Sequence, residues 1–363
     1  MLNFLMPIGE RYGWGICGRY LLRELSELTE VNYIRKEKYE RGLFDPVFTR
    51  WIDTLQNGVP DNDDHPIFQC IADSSFKMEC EYGKPNMGYT FFEYPNLPTE
   101  SIENAKKFDI MVAGSSWCKE VLEGYGVPSS TIIQGVDKNL FYPRDKELFK
   151  DRFVVYSGGK FEYRKGQDIV LAAFKVLQQR HKDVMLICNW YNLWPSSMKT
   201  MENSHHVPYR FNPNQNFEDC MKRLVTDMDI GLNNVVFDIP RPHLSLPFVY
   251  QNTDVGLFPN RCEGGTNLVF MEYMAMGKPA IASNSTGHKD LMGYHAIDCP
   301  ETTTILFENG PQVWPEPDLD ETIEALEAAY QRKNDLSTDE GIGVPPLPTW
   351  AEVAQEFLNL IQH

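Results

Sequence analysis

Residues 254–290 read Asp254-Val-Gly-Leu-Phe-Pro-Asn-Arg-Cys-Glu263-Gly-Gly-Thr-Asn-Leu268-Val-Phe-Met-Glu272-Tyr-Met-Ala-Met-Gly277-Lys-Pro-Ala-Ile-Ala-Ser283-Asn-Ser-Thr-Gly-His-Lys-Asp290. An apolar run, Val255 to Phe258, ends in a glycine loop that opens a helical stretch, and Gly277 with Lys278-Pro279 closes the helix before a second apolar run. The unit is strand, loop, helix, strand. Between Glu263 and Lys278 the only charged side chain is Glu272, in a segment apolar all round and therefore expected to be buried. A buried carboxylate is costly unless something donates to it, and its own helix holds no cation. A hydroxyl-rich ligand would supply donors; the plainer alternative is an ion pair with a distant Arg. The amides of Gly264 to Leu268 fall where a helix begins, a place suited to an anion.

The pattern Glu263-Gly-Gly-Thr-Asn-Leu-(x3)-Glu272-(x2)-Ala-Met-Gly-Lys-Pro-Ala-Ile-Ala-Ser283 resembles the signature of retaining nucleotide-sugar glycosyltransferases of glycosyltransferase family 4. The resemblance implies an α/β fold of two Rossmann-like, doubly wound domains facing a cleft (GT-B). It also implies roles: Glu263 contacts the donor sugar, the amides of Gly264, Gly265, Thr266, Asn267 and Leu268 hold the diphosphate, and Glu272 takes the ribose hydroxyls. The sequence departs from the family in one respect, because Glu263 and Glu272 enclose eight residues where the family usually has one fewer. An insertion inside the helix would rotate Glu272 by about 100°, so the extra residue is placed in the Gly264-Gly265 loop, where glycine tolerates it.

Upstream, the strand Phe153 to Tyr156 runs into Ser157-Gly-Gly159-Lys160-Phe-Glu-Tyr-Arg164-Lys165-Gly166 and then a helix with Ile169, Ala173, Phe174 and Leu177 on one face. Strand, glycine loop and helix make a phosphate cradle, and here cations accompany it. Gly159-Lys160 and Lys165-Gly166 match the pair with which the family grips the donor diphosphate, and Arg164 is a third candidate cation. A leaving diphosphate gains negative charge as its bond to the sugar breaks, and fixed cations stabilise it without a metal or other cofactor. The bland reading of Arg164-Lys165-Gly166 is an exposed turn.

At 363 residues the chain is long enough for two domains with full cores, and a net charge of −17 disfavours nucleic acid and anionic membranes as bulk partners. The basic cluster Arg35 to Lys38 leaves peripheral membrane contact open. No stretch is apolar for long enough to span a bilayer, and the start lacks the basic region and cleavage site of a signal peptide. Eight widely scattered cysteines, with no Cys-x2-Cys pair, argue against disulfides and zinc. The expected location is cytoplasmic.

The expected domains are residues 1–145, an acceptor domain, and 150–340, a donor domain, with a terminal helix over 349–363 carrying Trp350, Val353, Phe357 and Leu360 on one stripe and packing back on the first. The linker is placed at Arg144 to Arg152. In the first half, strands are expected at Leu2 to Met6, Val31 to Ile34, Ile67 to Ala72 and Met87 to Phe92, with 39–65 irregular. Asp109 to Ala113 leads into a helix capped by Ser115 or Ser116. Ser115-Ser-Trp117, Gly135-Val-Asp137 and Phe141-Tyr-Pro143 also resemble the family. In the second half, Val184 to Cys188 is a strand, Trp190 and Trp194 either pack or stack on a ligand, and 238–247 is an extended crossing. The part after Ala296 is turn-rich until a helix at about Leu319 to Lys333. His205-His206 lacks further metal ligands at suitable spacing.

Three other readings compete. Gly13-x-Gly15-x2-Gly18 satisfies a dinucleotide fingerprint, as in an NAD-dependent oxidoreductase, but Pro7 to Tyr12 separate it from the strand. In the glycosyltransferase reading, Gly15 lets the backbone approach the donor. Asp61-Asn-Asp63 offers the metal-binding pair of a GT-A enzyme, though no apolar strand leads into it. A noncatalytic carbohydrate-binding relative would keep the fold and lose the cations. The family often places a histidine near the donor sugar; here Phe92 stands there, and Glu93 beside it is the candidate for positioning the acceptor or taking its proton. Its bland reading is a strand-end acid. The partners implied are a nucleotide-sugar donor and a carbohydrate, glycolipid or other hydroxyl acceptor.

Overall fold

The computed structural model describes residues 1–34, 41–55, 58, 64–238, 241–291, 295–307, 310–333 and 346–362. The first domain runs β1 (Leu2–Leu5), α1 (Gly13–Leu28), β2 (Val31–Tyr33), α2 (Pro46–Leu55), β3 (Ile67–Ile71), β4 (Asn86–Thr90), α3 (Thr99–Ala105), β5 (Ile110–Ala113), α4 (Ser116–Gly124) and β6 (Ser130–Thr131). The second runs β7 (Phe153–Lys160), α5 (Gln167–Arg180), β8 (Val184–Tyr191), α6 (Phe217–Asp227), β9 (Val235–Phe237), α7 (Leu246–Gln251), β10 (Val255–Phe258), α8 (Leu268–Ala275), β11 (Ala280–Ser283) and β12 (His295–Ile297). A hairpin, β13 (Glu301–Phe307) and β14 (Gly310–Glu316), precedes α9 (Leu319–Gln331) and α10 (Trp350–Gln362).

Each domain holds a six-stranded sheet whose pairs are all parallel, in the orders β2-β1-β3-β4-β5-β6 and β12-β11-β10-β7-β8-β9. Parallel strands lie between helical layers, which is why β7 and β8 read as apolar runs without alternation. The result is two doubly wound, Rossmann-like domains facing a cleft. α10 lies back on α1 and the first sheet. Trp350 stacks on Tyr20 at 5.3 Å, and Phe357 meets Phe68 and Tyr89 at 4.6 and 4.8 Å between ring centres.

Three segments differ from expectation. α2 lies within 39–65, where turn residues drew attention away from a helical stripe: Ile52 is buried, and Phe48, Trp51 and Leu55 pack against the first core. The turn-rich region after Ala296 contains the antiparallel hairpin, whose strands alternate in exposure and hide their pattern among polar residues. In the expected extended crossing, the described part turns helical at His243–Ser245 and continues into α7. Ser115 is the cap of α4, accepting from the Cys118 amide at 3.1 Å. Arg35 to Lys38 and Asp61-Asn-Asp63 lie outside the described residues.

Candidate active site

The order of the first sheet reverses between β1 and β3, and that of the second between β10 and β7. Open α/β sheets bind ligands beyond the carboxyl ends of their strands at such switch points. Here the two switch points face each other across a cavity of about 580 Å3. Pro7, Tyr12, Gly13 and Trp14 after β1, Ala72 and Asp73 after β3, and Phe91 and Glu93 after β4 line one side. Gly159, Lys160, Arg164 and Lys165 after β7, and Glu263, Gly265, Asn267, Leu268 and Val269 after β10, line the other.

The loop after β7 is bent by Gly166, at φ +69°, where an added Cβ would stand 1.9 Å from the Pro259 carbonyl oxygen. Only glycine fits that approach, and it brings Lys165 against the loop after β10. The Glu263 carboxylate accepts from Lys165 Nζ and Asn260 Nδ2, and lies 3.3 Å from Arg164 Nη1. Burial alone would push the Glu263 carboxyl up; Lys165 and Arg164 outweigh it and hold the group at about 2. Burial pushes the Lys165 ammonium down, against the pull of Glu263. Arg164 also approaches Glu162 at 2.7 Å and Glu93 at 3.4 Å; burial would lower it, but these carboxylates raise it well above the ordinary value. Lys160 is the most exposed of the three cations, 3.4 Å from Glu162 and 5.2 Å from the Trp194 ring centre.

Asn267 precedes α8 in the left-handed region, at φ 60°, a conformation asparagine tolerates better than most residues. The first amide bonded back into that helix is Met271 N, to Asn267 O at 3.1 Å, so the amides of Leu268 to Phe270 are the orphan donors of its first turn. Leu268 and Val269 reach the cavity wall.

Other expected site residues sit elsewhere. Gly264 and Thr266 are buried outside the cavity wall: a Cβ on Gly264 would meet the Phe92 backbone at 2.5 Å, and Thr266 Oγ1 lies 2.9 Å from the Met271 sulfur. Gly15 lies within α1 and makes its close approach to the chain's own Gly9, whose Cα would stand 2.5 Å from an added Cβ. Gly13 and Trp14, not Gly15, face the cavity. The Gly13-x-Gly15-x2-Gly18 run lies inside α1 rather than at the strand end, and Gly18 serves packing against Pro7. Trp190 is buried in β8 with its Nε1 on Ser157 Oγ at 3.1 Å, while Trp194 stands half-exposed at the cavity. Among the described residues, no group of three or more His, Cys, Asp or Glu side chains is arranged to hold a metal ion.

Glu272 is buried, as its apolar surroundings require, but its donor comes from the protein: His243 Nε2 lies 2.5 Å from its carboxylate. The other ring nitrogen lies 3.2 Å from Arg19 of α1, which is paired with Glu10. A polar chain thus joins the domains behind the cavity. Sequence reasoning missed His243, placed by a turn with no motif of its own. It also missed His288, buried beside Asn267 and Ser283; burial pushes this imidazole down to about 4, against the pull of Glu263. Asn260 and Arg261, both within the opening stretch, were likewise passed over.

Residues 139–309 match the family described as glycosyl transferases group 1. Most of the second domain therefore matches a group 1 glycosyl transferase domain, and the chain as a whole has the two-domain GT-B fold. Its architecture is similar to that of sucrose-phosphate synthase from Thermosynechococcus elongatus (TM-score 0.67, 15% identity, 99% of this chain and 98% of that one). It is also similar to Anabaena HepE in complex with UDP and glucose (TM-score 0.63, 12% identity, 99% of each chain). A trehalose-6-phosphate structure from E. coli, bound with UDP-2-fluoro glucose, gives a TM-score of 0.62 at 12% identity, over 100% of this chain and 99% of that one. No curated protein matches the chain by sequence.

Proposed function

We propose that the chain transfers a sugar from a nucleoside diphosphate donor to a hydroxyl acceptor with retention of anomeric configuration. One observation carries this reading: the loops after β7 and β10 bring Lys160, Arg164, Lys165 and Glu263 to a single cavity opposite the switch point of the first domain. When the bond from the anomeric carbon to the diphosphate breaks, charge accumulates on the leaving oxygen, and cations fixed beforehand stabilise it. Glu93, Glu162 and Glu263 hold those cations in place before the donor arrives. In this reading they take the part a metal plays elsewhere, and the amides opening α8 share the charge. Glu263, on the cavity wall, meets the donor sugar. The acceptor oxygen attacks from the face the diphosphate leaves, Glu93 orients it, and its proton passes to the departing phosphate oxygen.

Retention rests on the family resemblance. The donor class is supported by the UDP ligands of the HepE and E. coli structures, which share the fold. A noncatalytic relative would have no use for three cations at one cavity. Eight free cysteines suit a reducing, cytoplasmic setting. Among the described residues, no helix is long and apolar enough to cross a membrane.

A thermal-shift screen with UDP-sugars, GDP-sugars and NAD, with donor hydrolysis measured alongside, tests the proposal. A ligand at a hundred times its Kd stabilises by about 2.7 kcal/mol. Stabilisation by a nucleotide sugar and not by NAD is the expected result; the reverse overturns the assignment.

A further inference from the structure

A second cavity, of about 800 Å3, opens beside the first and shares Glu93, Lys160, Arg164 and Trp194 with it. One wall is the β13–β14 hairpin. Arg261, fully buried, anchors that hairpin at its base, pairing with Asp168 at 2.8 Å and with Glu316 at 2.5 Å. The hairpin also reaches across the cleft to the first domain: Trp314 Nε1 donates to the Glu93 carbonyl at 2.7 Å, and Gln312 accepts from the Asn96 amide at 3.0 Å. The opposite wall is the segment Pro195–Asn203, entered through Trp194.

We propose that this second cavity is the acceptor subsite and that it takes a saccharide, a refinement that rests on the glycosyl-transfer reading above. Three features argue for a sugar. Trp194 is 50% exposed and Leu306 80% exposed at the cavity wall, apolar surface of the kind that meets the C–H face of a sugar ring. Ser196, Lys199 and Asn203 are exposed beside them and offer hydrogen-bonding groups to a hydroxyl rim. Charge is balanced: Lys160, Arg164 and Lys199 stand against Glu93, Glu162 and Glu202, so the wall selects no ionised acceptor. The volume lies within the range of about 300–1,000 Å3 typical of small-molecule sites, enough for more than one sugar ring.

The shared residues fix where reaction occurs. A saccharide seated here presents one hydroxyl at the junction, its oxygen bonds to the anomeric carbon of the donor, the bond to the diphosphate breaks, and the proton leaves with the phosphate oxygen. The products are a glycoside one sugar longer and a nucleoside diphosphate.

The test takes the donor found by the stability screen and adds glucose, galactose, maltose, cellobiose or lactose, following transfer, donor hydrolysis and saturation-transfer NMR of the sugars. Binding of at least one is expected, with ring protons saturated. Ser196→Trp, which fills the cavity mouth, and Leu306→Asp should each raise the acceptor KM at least tenfold while the donor KM moves less than twofold. An unchanged acceptor KM in both variants, or no transfer and no saturation for any of these sugars, overturns the subsite. Failure of the donor itself to bind or be hydrolysed would instead count against the underlying glycosyl-transfer reading.

Discussion

Lys165 and Glu263 meet as a buried ion pair between the loops that leave β7 and β10, with Arg164 and Asn260 on the same carboxylate. The pair closes the cradle before any donor is present, and it places a cation and an acid of opposite intended roles in contact.

Lys165→Met should therefore reduce donor kcat/KM by about 100- to 1,000-fold, the range seen when one preorganised donor to a developing negative charge is removed. Arg164 and Asn260 remain on Glu263, so the fold should survive. Steady-state kinetics with near-UV circular dichroism checks both halves of the expectation.

Glu272→Ala leaves His243 without its acceptor in a buried site and should cost about 1–3 kcal/mol of stability. Glu272→Gln, which keeps an acceptor, should cost less. Urea unfolding of the two variants gives the comparison; equal midpoints to the parent would mean that the contact contributes nothing.

His288 makes stability pH-dependent. Its folded pKa of about 4 lies below the ordinary 6.5, so the unfolded chain binds more protons between these values and stability falls as pH drops from 6.5 to 4. The full loss from this group is about 3 kcal/mol. Glu263, held at about 2, adds its own loss at lower pH, from its ordinary value of 4.5 downward. His288→Gln should flatten the upper window and leave the lower one, as read by denaturation midpoints across pH.

Gly166→Ala forces a side chain into a left-handed residue and against the Pro259 carbonyl. The loop bearing Lys165 must shift, so donor KM should rise sharply and stability fall by about 1 kcal/mol or more. A parent-like KM in that variant would show that the loop is not held by this contact.

The fold class was legible because its signals are local. Apolar runs mark strands buried on both faces, and the glycine loops at 157–166 and 264–265 mark the turns into α5 and α8. The cavity's cations and Glu263 were legible for the same reason. What escaped depends on distance along the chain. Glu272 could be read as buried, but its partner His243 stands 29 residues away in a turn, so the sequence pointed to a ligand hydroxyl where a histidine sits. Gly15 met the glycine pattern but spends its missing Cβ on Gly9. The hairpin over 301–316 alternates in exposure as strands should, yet it exposes Leu306 and Val313 beside Glu301, Thr302 and Thr304 and buries Gln312, so polarity does not mark its inner face.

The central claim, that the cavity between the two switch points receives a nucleoside diphosphate, is tested most directly by calorimetric titration of UDP and GDP into the parent protein, Lys160→Met and Lys165→Met. One of the two nucleotides should bind the parent, with Kd weakened at least tenfold in each variant. Absence of binding by both, or the same Kd in all three proteins, would contradict it.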